Sequence, residues 1–339
     1  MSLEELRFAV VGCGSIGRRH IGNLLALGIR DVIGVDTLEA RRQDVERTLG
    51  VPTKSSVEAC WTWKPDVAVI AVPTSLHIPI AMEAAQRGCH LFVEKPLADR
   101  LDTAPLLLSL VEEKRLTTLV GCNMRFHPGL MRVKTLVEDG AVGRVISARV
   151  EVGQYLPDWH PSEDYRQGYS AQAALGGGVI LDAIHEIDYA RWILGDVSSV
   201  ACFAAKLSDL EIDTEDTAAI LLRFASGAIG EIHLDYVQRA YSRTCHLIGD
   251  AGTIRWDYTA GDVVWYSART RTWETLRNPI GWQPNQMYLD EMCHFLRCLS
   301  GLERPTLDVF EAARVLEVAI AAKTSAREQR VVELEAGAL

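Results

Sequence analysis

Phe8-Ala9-Val10-Val11-Gly12-Cys13-Gly14-Ser15-Ile16-Gly17-Arg18-Arg19-His20 is the stretch that decides how the first third of this 339-residue chain folds. Its opening apolar run, without polar interruption, reads as a strand buried on both faces, and from Ile16 to Leu27 the pattern changes to the 3.6-residue period of a helix. Between the two stand three glycines spaced G-x-G-x-x-G. Working outward, the alternation continues. Apolar runs at 6–11, 32–35, 67–72, 90–93 and 118–122 are separated by helix-periodic segments at 39–49, 76–87 and 103–114. Strands alternating with helices of this length build βαβ units, so residues 1–124 are expected to form an α/β domain around a doubly wound parallel sheet.

Such sheets bind ligands at the carboxyl ends of their strands. There Gly12, Gly14 and Gly17 allow a tight turn and a close backbone approach, while a helix starting near Ser15 and Ile16 offers free N–H groups to phosphate. Asp36 ends the second predicted strand, 19 residues beyond Gly17, where a carboxylate can accept the hydroxyls of an adenosine ribose. The combination predicts a dinucleotide site. A carboxylate at position 36 repels an additional phosphate, which favours NAD over NADP, with Arg41 and Arg42 close enough to soften the choice.

After residue 143 the rhythm changes to longer runs rich in Val, Ile, Thr and aromatics, broken by turn signals at 226–227, 249–252 and 260–262. Residues 125–339 are therefore expected to form a second domain with a mostly antiparallel sheet of five to seven strands. Helices are expected near 128–138, 181–194, 286–299 and 308–326, with the last free to pack back on the first domain.

Charge excludes some functions. Lys plus Arg number 35 against 45 for Asp plus Glu, a net −10, the wrong sign for bulk nucleic-acid binding. Residues 1–124 hold 14 basic and 15 acidic side chains and residues 125–339 hold 21 and 30, so the excess lies in the second part. The acidic run Asp209, Glu211, Asp213, Glu215 and Asp216 reads as a solvated loop, since no His or Cys accompanies it. His233, His246 and His294 are isolated, and no metal site is expected. No apolar run approaches the roughly 18 residues that span a bilayer, and no secretory signal is evident. Eight scattered cysteines without a C-x-x-C pair suggest free thiols and a cytoplasmic protein.

Further motifs follow in order: Val72-Pro73-Thr74-Ser75-Leu76-His77, Glu94-Lys95-Pro96-Leu97, Asn123-Met124-Arg125-Phe126, and Gly176-Gly177-Gly178 followed by Asp182, His185 and Asp188. With the glycine loop, this ordered set resembles the glucose-fructose oxidoreductase, inositol dehydrogenase and rhizopine-catabolism family of NAD(P)-dependent oxidoreductases over nearly the whole chain. The resemblance implies a Rossmann domain joined to an α+β domain whose open sheet supports dimers or tetramers. It also implies an active-site role for Lys95, at the end of a predicted strand, where an ammonium can steady a developing alkoxide or move a proton. Val72, Pro73, Thr74, Ser75, His77 and Glu94 would line the cofactor; Thr74, Ser75 and His77 have a cap or turn role as the alternative, nearly even for Ser75.

In the second part, Asp182 and His185 stand three apart and so share a helix face. The family usually places the Asp four before the His, so Asp182 reads either as the group orienting His185 or as a substrate ligand. His185 can take a hydroxyl proton near neutral pH. Asp188 reads as structural, and Glu186 as solvent-facing or a substrate contact. Asn123 and Arg125 are expected to orient substrate or close the site. The aromatic segment containing Tyr155, Trp159, His160, Tyr165, Arg166 and Tyr169 can stack on a sugar and pair with an anion, or simply cover an interface. It resembles a subgroup associated with surface-polysaccharide and nucleotide-sugar pathways.

The expected activity is hydride transfer between NAD and a secondary hydroxyl or ketone of a sugar, sugar acid, nucleotide-sugar or cyclitol. Alternatives are a same-fold enzyme for a dihydrodiol or imine, and a non-catalytic NAD-sensing regulator.

Overall fold

The computed structural model describes residues 3–159 and 164–335. They fall into two compact units, Met1–Asn123 with Pro284–Ala313, and Met124–Gln283 with Arg314–Leu339. The first contains β1 (Phe8–Val11), α1 (Ser15–Ala26), β2 (Val32–Val35), α2 (Glu39–Leu49), β3 (Thr53–Lys54), α3 (Val57–Trp61), β4 (Val67–Ile70), α4 (His77–Gln86), β5 (His90–Glu94), α5 (Ala104–Lys114) and β6 (Thr118–Gly121). The sheet order is β3-β2-β1-β4-β5-β6 and every pairing is parallel. Strands β1, β2 and β4 are buried at every position, which is why they carry no polar residue. The order reverses between β1 and β4, and the glycine loop leaves β1 there.

The second unit contains α6 (Pro128–Glu138), β7 (Val145–Gly153), α7 (Val179–Asp182), α8 (Ile184–Leu194), β8 (Val197–Ala205), β9 (Thr217–Phe224), β10 (Ile229–Asp235), β11 (Ser242–Gly249), β12 (Gly252–Asp257), β13 (Asp262–Ser267) and β14 (Thr272–Arg277). After these come α9 (Asn285–Leu299), α10 (Val309–Glu328) and β15 (Val332–Glu333). The sheet order is β14-β13-β12-β11-β7-β10-β9-β8-β15, antiparallel except between β7 and β10. Nine strands replace the expected five to seven. The two residues of β15 are too few to show a period, and β14 is exposed along most of its length, so it carries no alternation. The helix expected over 181–194 is two helices, interrupted at Ala183. Alternating burial along β9 and β10 gives the sheet a covered and an open face.

Helix α9 belongs to the first unit. Its Met292, Phe295 and Leu296 share one core with Phe8, Val10, Ile21, Leu24 and Phe92. The chain then lies along β6, where Val120 N–H donates to Leu307 O at 2.9 Å and Val309 N–H to Thr118 Oγ1 at 3.2 Å. Among the described residues no helix is long and apolar enough to cross a membrane.

Candidate functional site

The glycine loop is set by backbone contacts. Gly12 has φ +97° and donates its N–H to Val35 O at 2.8 Å. An added Cβ would lie 2.2 Å from Ala71 O at Gly12 and 1.8 Å from Gly12 O at Gly17, so neither position admits a side chain. Around Gly14 an added Cβ meets nothing nearer than the Arg41 guanidinium at 3.9 Å. That open side is the approach a pyrophosphate requires, and α1, whose first turn has no side-chain cap, begins there at Ser15 and Ile16. Asp36 is buried and accepts the N–H groups of Cys13 and Leu38, each at 2.8 Å, with Arg41 Nη1 3.6 Å away. It therefore braces the loop as well as flanking it. Arg42 is tied to the backbone, donating to Asp36 O at 2.8 Å and Thr37 O at 2.9 Å. Burial, then the charge of Asp36, pushes the Cys13 thiol up to about 12, so it packs as a small apolar group.

Val72 and Pro73 leave the carboxyl end of β4 half-buried, and Thr74 is buried. His77 engages both ring nitrogens within the protein. It is buried, with Nδ1 2.7 Å from Pro96 O and Nε2 2.9 Å from Val72 O, and it clamps the ends of β4 and β5 together. Burial outweighs those hydrogen bonds and lowers its pKa. Glu94 ends β5, its Oε1 2.6 Å from His20 Nε2 and its Oε2 accepting Lys95 N–H at 3.2 Å. His20, fully buried on α1 and edge-on to Phe92 at 4.9 Å, is marked by no sequence motif. Lys95 follows at the strand's end, half-buried and joined to Pro96 by a cis peptide.

In the second unit, the chain enters α7 through Gly178 at φ +108°, where Glu215 takes the room a Cβ would need, 2.4 Å from its Oε1. Asp182 ends α7, buried. Its carboxylate accepts the hydroxyls of Tyr169, of Ser170 at 2.5 Å and of Tyr236 at 3.0 Å. Burial first, then the Asp182 charge, holds the Tyr236 phenol well above its usual range, so it stays a donor. Trp159 stands edge-on to Tyr236 at 5.4 Å, and the Arg239 guanidinium lies 3.6 Å over the ring of Tyr155. His185 lies in the first turn of α8, largely buried. Ser170, Tyr236 and Arg239 are additions that no motif marked. His160 lies outside the described residues.

Several expectations are corrected. Asn123 and Arg125 sit in the short 3-10 turn after β6, both buried. Arg125 is engaged within the protein: its Nε and Nη2 grip Asp188 at 2.7 to 3.1 Å, with the two side chains 4% and 0% exposed. Asp188 is structural, as read. Glu186 is fully buried against Arg243, Nε to Oε1 2.8 Å, rather than solvent-facing. Burial raises its pKa against the pull of Arg243. Arg166 is closed by Asp164 at 2.8 and 2.9 Å and by Glu211 at 3.2 Å. The acidic run is not uniformly solvated either. Asp216 is buried, accepting the N–H groups of Leu207 and Ser208 at 2.9 Å, because the loop it closes folds back on its carboxylate. Among the described residues no group of three or more His, Cys, Asp or Glu side chains could hold a metal ion.

Comparison with known proteins decides the lineage. Residues 6–122 match the oxidoreductase family with an NAD-binding Rossmann fold, and residues 130–255 match the GFO/IDH/MocA C-terminal domain. The chain belongs to the GFO/IDH/MocA family. It is accordingly an NAD-binding oxidoreductase. Among its GFO/IDH/MocA relatives, levoglucosan dehydrogenase of Pseudarthrobacter phenanthrenivorans is 28% identical over 77% of this chain and 75% of that one. Myo-inositol 2-dehydrogenase of Thermotoga maritima is 28% identical over 97% and 99%. The crystal structure of the WlbA dehydrogenase from Bordetella pertussis, in complex with NADH and UDP-GlcNAcA, superposes with a TM-score of 0.86 at 25% identity, covering 99% of each chain.

Proposed function

We propose that this protein is a dehydrogenase that uses NAD to oxidise, reversibly, a secondary hydroxyl of a sugar, sugar acid, nucleotide-linked sugar or cyclitol. The observation that carries this reading is a glycine loop open only at Gly14, in the same unit that delivers Lys95 to the carboxyl end of β5. The named activities of the relatives support the substrate class.

Gly14 and the first N–H groups of α1 hold the pyrophosphate, Asp36 accepts the adenosine ribose hydroxyls, and Val72, Pro73, Thr74 and Glu94 line the remainder. When bound, the nicotinamide supplies a two-electron acceptor for hydride. The Lys95 ammonium donates to the substrate oxygen and stabilises the alkoxide charge that develops there. His185 receives the hydroxyl proton, an imidazole nitrogen being the acceptor. Asp182, fixed by three hydroxyls, holds the entry to α8 and so positions His185.

Calorimetric titration with NAD and with NADP tests the cofactor half: NAD binds the more tightly, and failure of both below millimolar concentration overturns the reading. Lys95→Ala abolishes turnover on a polyol panel with NAD affinity nearly intact, whereas undiminished turnover would remove Lys95 from the chemistry. Assembly into a dimer or tetramer is proposed through the open sheet face, where Phe203, Leu221 and Ile229 are exposed. Light scattering that returns a monomer at all concentrations refutes it. Free thiols at all eight cysteines support a cytoplasmic setting.

A further inference from the structure

In the second unit, Arg125 is occupied by Asp188, Arg166 by Asp164 and Glu211, and Arg243 by Glu186. Arg239 differs. Among the described residues no carboxylate lies within 4.0 Å of its guanidinium, whose face instead covers the Tyr155 ring at 3.6 Å. Stacking uses the face of the guanidinium plane and leaves its N–H edge directed outward, the edge that chelates a carboxylate or phosphate.

The backbone beneath this pair is built. β7 and β10 are parallel neighbours with Gly153 opposite Asp235, so the two strands end side by side. Their exits are joined where Gln154 N–H donates to Asp235 O at 3.2 Å and Leu156 N–H to Tyr236 O at 2.9 Å. Asp235 Oδ1 then accepts the N–H groups of Val237 and Gln238 at 2.9 and 2.7 Å, fixing the turn that leads to Arg239. The same exit carries Tyr236, whose hydroxyl holds Asp182. Arg239 and the Asp182 network therefore leave one strand end together. A chain of net charge −10, with 21 basic against 30 acidic residues after position 124, repels anions at long range. An anionic substrate must be met locally, by a cation already in place.

We propose that Arg239, stacked on Tyr155, is the anion-recognition element of the substrate site, and that the substrate is an anionic sugar carrying a carboxylate or a phosphate; this rests on the dehydrogenase reading above. The guanidinium edge binds the anion and holds the reacting hydroxyl in register, while stacking keeps the long side chain from paying its full rotamer entropy on binding.

The test is calorimetry on the NAD-loaded protein with three probes: glucuronate, UDP and neutral myo-inositol. Wild type binds at least one anion, and Arg239→Gln weakens that binding about tenfold or more, the loss of a charge-assisted bidentate contact, leaving NAD affinity unchanged. Tyr155→Phe binds like wild type and Tyr155→Leu falls between, which separates a stacked arginine from a free one. Glucuronate against UDP distinguishes carboxylate from phosphate. An anion held equally by Arg239→Gln and wild type overturns the proposal. So does a wild type that binds neither anion while oxidising a neutral cyclitol with NAD, an outcome that leaves the dehydrogenase reading standing. If NAD itself does not bind, that reading fails and this proposal fails with it.

Discussion

Gly14 and Gly17 belong to one motif yet respond oppositely to a methyl group. At Gly17 the new Cβ would sit 1.8 Å from a carbonyl oxygen, and Gly17→Ala is expected to cost about 3 kcal/mol or more of stability, read as a lowered denaturation midpoint. Gly14 is extended, with φ −69° and ψ −167°, and has room. Gly14→Ala is expected to melt like wild type while losing NAD affinity about tenfold or more, as a methyl displaces phosphate from the α1 N–H groups. Wild-type affinity in the Gly14→Ala variant would place the pyrophosphate elsewhere. These glycines were legible because their spacing encodes backbone geometry directly. His20 was not, since its partner Glu94 is 74 residues away, nor was Tyr236, 54 residues from Asp182. Isolated polar residues in helical or strand patterns carry no sign of whether they face solvent or a buried partner.

Helix α8 shows what that limitation means for an element. Its pattern is readable as a helix, but of His185, Glu186 and Asp188 the sequence names no partner for the two carboxylates. Two of them fix the helix in place: Asp188 on Arg125, and Glu186 on Arg243. Arg125→Met leaves Asp188 charged and buried, so it is expected to destabilise by about 3–5 kcal/mol. The double variant Arg125→Met, Asp188→Leu removes the stranded charge and recovers most of that loss in urea denaturation. If the single variant unfolds at the wild-type midpoint, the pair holds nothing. The interruption at Ala183 escaped the sequence because no Pro or Gly marks it, and strands β14 and β15 escaped because an exposed or two-residue strand has no period to detect.

Across the whole molecule, buried histidines set the response to acid. Burial foremost holds His77 below the usual imidazole range and brings His127 down to about 4. The unfolded chain takes up these protons near pH 6.5 and the folded chain does not, so stability is complete above 6.5 and is lost as pH falls below it. Between pH 7 and 5, His127 alone accounts for about 2 kcal/mol. His233, raised by its hydrogen bond to Asp235, acts in the opposite sense, but it is half exposed and contributes less. The melting temperature is expected to drop from pH 7 to pH 5 and the drop to shrink in His127→Gln; a rise on acidification contradicts this. The charge imbalance between the halves was visible in composition, whereas the return of α9 to the first unit was not, since an amphipathic helix does not name the sheet it will cover. That return governs how the protein can be made. When residues 1–123 have left the ribosome, the sheet that carries the glycine loop still lacks Met292, Phe295 and Leu296, and its apolar flank stays uncovered until α9 has been synthesised. The second unit's sheet is completed later still, by β15 at Val332–Glu333, so while both units wait the nucleotide-binding sheet carries an uncovered apolar flank that invites aggregation on the way.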